Sequence, residues 1–282
     1  MSKILKISIQ DYHADKEHIS ATSLKLAKKS LALFKMYRDG ELEEENKSHF
    51  DFGNAFELCL LDSNAGNYIK IFDADERPEP DKTFASKLNK LWKEEFFNTD
   101  KYIINKAGKE SFETIEKMLR SCYQDAAIQK LIKNIDYQSS LYWTDKNGLK
   151  LKSRPDICQT KKNIIVDVKT TRDGSPEAFS RDLKNFDYPL QAIMQIEGVL
   201  ATGYMPSVDM YLWLVVEKEP PYSATLYEFT LEDQRWITDE YEYVKKILKQ
   251  AIDKEFYPSY TQRADNEFGI LTAQIPLYYK TL

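Results

Sequence analysis

Cysteine, histidine and glycine are scarce in this chain of 282 residues, at three, three and nine copies. Cys59, Cys122 and Cys158 are widely scattered. That excludes a disulfide framework and leaves no paired metal-ligand spacing. His13, His18 and His49 have no coherent zinc spacing either. No glycine-rich phosphate loop and no nucleophile elbow occurs, which argues against a metabolic hydrolase of the common kinds. Long apolar runs are absent: the stretch 193–199 is interrupted and far short of a membrane span. The opening residues have no apolar stretch followed by a small-residue cleavage site, so they do not read as a signal peptide. A cytoplasmic protein with no membrane partner is expected. An excess of base is missing too. Lys plus Arg number 40 and Asp plus Glu 45, a formal net charge of −5. That lowers the expectation of unspecific polyanion binding. The charge is uneven, however. Lys25, Lys28, Lys29, Lys35 and Arg38 share the segment 21–38 with no acid, and local fields attract a polyanion whatever the total.

The hydrophobic fraction is 42%, enough for a sizeable core. The expected organisation is one domain over 1–282, with a mainly helical part at 1–134, a core of sheet and helices at 135–257 and a tail at 258–282. Ser20 reads as the N-cap of a helix over 21–37, whose Leu24, Ala27, Leu31 and Phe34 recur at helical spacing. Further helices are expected at 51–61, 85–97, 109–119 and 128–132, with a Pro-rich acidic loop at 73–81. The pattern then changes to strands at 138–144, 149–157 and 164–169, read as a meander. Asp145-Lys146-Asn147-Gly148 is a hairpin turn signal. Helices at 176–185 and 189–200, strands at 208–217 and 224–230 and a long helix at 231–256 complete the reading. The fold class is α/β (α+β), a central mixed sheet flanked by helices with a helical N-terminal region.

Chemistry concentrates in Arg154-Pro155-Asp156 and in Asp167-Val168-Lys169 at the end of the apolar run Ile164-Ile165-Val166. Side chains alternate along a strand, so Asp167 and Lys169 point one way and Val168 the other. Asp156 lies one turn earlier and can stand beside Asp167 in an antiparallel pair. Two carboxylates and the Val168 carbonyl make a hard oxygen shell suited to Mg²⁺ or Mn²⁺. Lys169 can orient a water and stabilise a phosphoryl transition state, or serve as base if its pKa is lowered. A buried strand that ends in two charges calls for a reason. The competing reading is a solvated strand edge.

Taken together these segments resemble the exonuclease branch of the PD-(D/E)xK nuclease superfamily. The resemblance is to the phage and prophage RecE-like (exonuclease VIII) group, with lambda exonuclease more distant. Asp11-Tyr12-His13, the segment 19–24, Phe52-Gly53-Asn54-Ala55-Phe56-Glu57, the segment 141–145, both core motifs and the segment 188–195 carry it. It implies a restriction-endonuclease-like core, Asp156 and Asp167 as metal ligands and Lys169 as catalytic. Gln191 matches the family's glutamine after the core strands, and Gln195 shares its helical face. Either can contact the scissile strand or orient a ligand. Tyr188 can stack near a substrate or cap the helix. Lys25, Lys28 and Lys29 can engage phosphates or form a solvated face. Two positions depart from the pattern. Glu57 stands where relatives often carry histidine, and is either an oxygen ligand or a helix-surface acid. Gln138 stands where they often carry glutamate. One of Tyr142 and Trp143 should point inward and the other can touch DNA, or sheet packing accounts for both. Three cysteines do not suffice for the iron–sulfur cluster of some branches.

The resemblance implies a Mg²⁺-dependent 5′→3′ double-stranded DNA exonuclease of recombination, with Mn²⁺ able to substitute. It also implies double-stranded DNA ends as substrate, a ring-shaped homo-oligomer, trimeric or tetrameric, and a single-strand annealing protein as partner. The alternatives are an endonuclease or single-strand nuclease of the same superfamily, or a DNA-binding protein with a decayed site.

Overall fold

The computed structural model describes residues 2–42, 48–79, 85–133, 135–260 and 270–273. Most of the tail at 258–282 and the end of the loop at 73–81 lie outside these. Strand β1 (Lys3–Leu5) and the short helix α1 (Ile9–Ala14) lead to α2 (Ala21–Lys29), α3 (Leu31–Asp39) and α4 (Ser48–Leu61). Strand β2 (Ile69–Phe72), helix α5 (Lys87–Phe97), strand β3 (Tyr102–Asn105), α6 (Phe112–Gln124) and α7 (Ala126–Ile132) follow. The core then runs β4 (Asp136–Tyr137), β5 (Ser140–Thr144), β6 (Lys150–Ser153), β7 (Ile157–Gln159) and β8 (Ile164–Thr171). After it come α8 (Pro176–Asn185), α9 (Tyr188–Ala201), β9 (Met210–Glu217), β10 (Ala224–Glu228) and α10 (Leu231–Lys254).

Local chemistry explains many of the boundaries. Ser20 caps α2 in a reciprocal capping box with Ser23. Ser175 caps α8, with Pro176 in its first turn. Thr230 caps α10, whose first turn carries Glu232 and Asp233 against the positive end of the dipole. The helix expected at 21–37 is two helices. Ser30 adopts an extended conformation, φ −166° and ψ 131°, and divides α2 from α3. Apolar spacing does not register such a break, because Leu24, Ala27, Leu31 and Phe34 remain buried on both sides of it. The two-stranded parallel pair of β2 and β3 was not expected at all.

The expected meander is also divided. The central sheet has the order β10-β9-β8-β7-β4, with β8 and β9 parallel and the other neighbours antiparallel. A second sheet has the order β1-β5-β6. The hairpin turn at Asp145 to Gly148 forms as read: the Asp145 carboxylate accepts from the N–H groups of Asn147 and Leu149. Each arm of the hairpin, however, continues into the other sheet. The first changes sheets at Gln138, whose φ is +50°. The second changes at Arg154-Pro155, where proline has no N–H for a ladder. Asp156 therefore stands at the entry to β7.

Strand β8 is buried on both faces. Ile165 joins a core with Tyr211, Trp213 and Val215 beneath α2, α3, α9 and α10. Val166 and Val168 join a second core with Leu212 and Leu214 beneath α4, α6 and α7. The central mixed sheet thus has helices on both sides, as β-branched runs without alternation require. Strand β7 pairs with β8 only as far as Ile157 opposite Val166. Beyond that point β8 continues with no strand partner on this edge among the described residues.

Candidate active site

The β7–β8 register extrapolates to Asp156 opposite Asp167, one step past the last ladder pair. Asp156 Oδ2 accepts from the Val168 N–H at 2.7 Å. In an extended residue N–H and C=O share an edge, so the Val168 carbonyl faces the same notch as Asp156. Asp167 is fully buried. Its Oδ1 accepts from Gln191 Nε2 at 2.9 Å and from Gln195 Nε2 at 3.3 Å. Oδ2 makes no well-directed hydrogen bond and faces Lys169 Nζ at 2.5 Å. Asp167 and Lys169 do share a face, as the alternation of a strand dictates. Glu57 arrives from α4, which comes close to β8 because Gly53 faces Thr170. Glu57 Oε1 accepts from Gln138 Nε2 at 2.7 Å.

The electrostatics are those of crowded carboxylates. Burial, then Glu57 and Asp167, push the Asp156 carboxyl well above the usual range, and Lys169 and the Val168 N–H only partly oppose them. Burial likewise raises Glu57, against the pull of Gln138 and Lys169. Burial lowers Lys169, but Asp167 and Asp156 outweigh it and hold the amine above its ordinary value. The two carboxylates thus favour the charged form of Lys169. Lys25 behaves oppositely: burial and the nearby Lys169 charge push it down to about 8. Among the described residues, no three His, Cys, Asp or Glu side chains are drawn together into a ready-made metal cage. The hard oxygens on offer are those of Asp156, Asp167 and Glu57, with the Val168 carbonyl. These are hard carboxylate and carbonyl oxygens, the donor type that Mg²⁺ and Mn²⁺ take, and Oδ2 of Asp167 already faces a cation in the Lys169 ammonium.

The chain belongs to the family described as PDDEXK-like domain of unknown function (DUF3799). The model of that family matches residues 20–267. The fold is also similar to the crystal structure of a protein from Eubacterium rectale provisionally described as an exonuclease. The TM-score is 0.62 at 14% identity, over 98% of each chain. No curated protein matches the sequence. Arg154-Pro155-Asp156 and Asp167-Val168-Lys169 both lie within the matched residues of this PDDEXK-like domain.

The remaining expected residues divide into three groups. Gln191 reaches the cluster and accepts from Lys25 Nζ at 3.1 Å. Lys25 and Lys169 both lie over the Tyr188 ring, at 5.4 and 4.8 Å from its centre. Lys25 and Tyr188 thus stand at the site. Lys28 is paired with Asp187 at 2.5 Å and with Glu240 at 3.0 Å, while Lys29 is exposed. Both border a cleft of about 410 Å³, which Lys25 also lines. Gln195 is corrected: it is buried and accepts from the Tyr211 hydroxyl at 2.7 Å, so it orients Asp167 and is not exposed to a substrate strand. Tyr142 and Trp143 are both buried, so neither is free to touch a strand. A cavity of about 340 Å³ near His18 and Lys150 shares no residue with the carboxylate cluster.

One participant, one contact and one role escaped the sequence. Tyr211 sits on β9 and reaches Asp167 only through Gln195. The contact of Lys25 with Gln191 joins residues far apart in the chain. Arg154 was noticed as part of a motif without a role. It donates to the Ile7 carbonyl, to Ser140 Oγ and to Gln138 Oε1, at 2.9, 3.0 and 3.2 Å. An arginine directly before Pro-Asp, at the end of a strand-like stretch, was the available signal.

Proposed function

We propose that this PDDEXK-like domain is a divalent-metal-dependent deoxyribonuclease, and within that class an exonuclease that acts from double-stranded DNA ends. The observation that carries the reading is the alignment of Asp156 with Asp167 and Lys169 at the uncovered edge of β8. Asp156, Asp167, the Val168 carbonyl and Glu57 would hold Mg²⁺, or Mn²⁺ in its place. A bound ion of that kind supplies Lewis acidity to a phosphate and acidity to a water.

The chain's own residues do the rest. Lys169, held as an ammonium, donates to the attacking water and to the phosphoryl oxygens as their charge grows. Gln191 and Gln195 fix Asp167 in one rotamer, so the carboxylate is set before substrate arrives. Lys25 meets Gln191 of the cluster and also lines the cleft. With Lys28 and Lys29 it receives the backbone of the strand, and the Tyr188 ring gives a base or sugar a flat surface. The 5′→3′ polarity, the 3′ overhang, a role in phage-type recombination and a RecE-like ancestry shared distantly with lambda exonuclease rest on the resemblance of the motifs. So do cytoplasmic residence, a trimeric or tetrameric ring and a single-strand annealing partner. A ring reconciles a net charge of −5 with a DNA substrate, since its channel can be basic while its exterior is acidic.

A linear duplex with and without a 5′-phosphate, set beside a covalently closed circle, tests the reading. Release of mononucleotides from the linear forms in Mg²⁺, with the circle intact, is expected. Cutting of the circle overturns the exonuclease reading in favour of an endonuclease.

A further inference from the structure

Gln138 is an unusual residue for its backbone. Its φ of +50° lies in the left-handed region, where glycine or asparagine is far easier to place. The position is the point at which the chain leaves the central sheet for the second one. The backbone there is tied to the site directly, since the Gln138 N–H donates to the Asp156 carbonyl at 3.2 Å. The side chain is tied to it again. Arg154 is a pure donor, so the atom it meets at 3.2 Å must be the amide oxygen, Oε1. That fixes the orientation of the amide. Nε2 is thereby turned to Glu57, 81 residues earlier in the chain, at 2.7 Å. Arg154 is itself anchored by the Ile7 carbonyl and by Ser140 Oγ.

We infer that Gln138 is a positioning residue: with Arg154 behind it, it holds the Glu57 carboxylate in one orientation at the carboxylate cluster. The inference rests on the reading of this cluster as a cation site. Glutamine suits the place because it is neutral. It accepts from the guanidinium at one end and donates to the carboxylate at the other. A glutamate satisfies Arg154 but sets acceptor against acceptor at Glu57. An asparagine tolerates the backbone and is one methylene too short to span both partners. The departures at 57 and 138 are thus a single matched pair and not two separate losses. The relay also explains a strained backbone at a sheet crossing, because strain of this kind persists where the surroundings hold it for a purpose.

The test uses the purified full chain and Mn²⁺ alone, read by calorimetry or by the resonance of bound Mn²⁺, with thermal midpoints as the control for folding. Gln138→Asn is expected to melt within a few degrees of the wild type and to bind Mn²⁺ roughly 10–100-fold more weakly, as loss of an outer partner does at metal sites. Gln138→Glu is the sharper variant. It adds a negative charge beside the ion, which by Coulomb's law alone strengthens cation binding. Positioning predicts the reverse, a weaker affinity. Equal affinity in Gln138→Asn, or tighter binding in Gln138→Glu, overturns the inference while leaving the nuclease reading intact. A wild type that binds no Mn²⁺ overturns the cation reading and this inference with it.

Discussion

Asp167 carries the densest set of interactions in the cluster, with two glutamine amides on one oxygen and an ammonium on the other. Removing the ammonium exposes the difference between structural and chemical roles. Lys169→Ala should lower the rate of hydrolysis by on the order of 10²–10³, the cost of one transition-state donor. A comparable KM would place the loss in the chemical step, whereas an unchanged rate removes Lys169 from the mechanism. Asp156 gives a prediction about pH. Its folded pKa lies above the ordinary carboxylate value of about 4, so the folded state holds the proton more tightly than the unfolded chain. That contribution is complete below about pH 4 and is lost as pH rises through the folded value. An asparagine at this position does not titrate. With chelator present, Asp156→Asn should therefore melt close to the wild type at about pH 4 and progressively above it towards neutrality. Thermal melts across that range check this, and a gap independent of pH contradicts it. Within a strand such residues were legible, because period two alone aligns Asp167 with Lys169. Contacts across the fold were not. Nothing in the sequence around Glu57 or Gln138 signals that they touch, and burial of Gln195 depends on a tyrosine from a strand that follows it.

At the scale of elements, α9 matters most, since it delivers Gln191 and Gln195 to Asp167. It can do so only by lying close on β5 and β6. A Cβ on Gly198 would stand 2.6 Å from Ser153 Oγ and 2.8 Å from the Trp143 ring. Gly198→Ala should cost about 1–3 kcal/mol by overpacking and reduce activity beyond that loss, because the helix lifts from the sheet. Chemical denaturation and an assay well below the melting point measure the two effects; full activity shows that α9 need not sit so close. Elements with strong apolar periodicity were readable, α8 and α10 nearly to the residue. The breaks between elements were not, because they depend on single backbone conformations at Ser30 and Gln138. The sheet exchange at Arg154-Pro155 had a visible cause in the proline, but which sheet each half joins is decided by packing on either side of β8.

At the scale of the molecule, the family model matches residues 20–267, a range that takes in α2 to α10. The net charge of −5 makes a lone copy a poor match for a duplex. If the chains close into a ring, sedimentation should give three or four times the mass of one chain, and only that species should degrade long duplexes without dissociating. A monomer with the same processivity removes the ring from the account. The basic run at Lys25, Lys28 and Lys29 was legible in the sequence, whereas nothing in it marks a surface that would join copies.

The most direct test of the whole account is cleavage of a linear duplex in Mg²⁺ by wild type and by Asp167→Ala, each confirmed as folded by circular dichroism. The account predicts nucleotide release by the wild type, its abolition by chelator and no release by the variant. Cleavage by Asp167→Ala at the rate of the wild type would show that the Asp156, Asp167 and Lys169 cluster is not where the bond is broken.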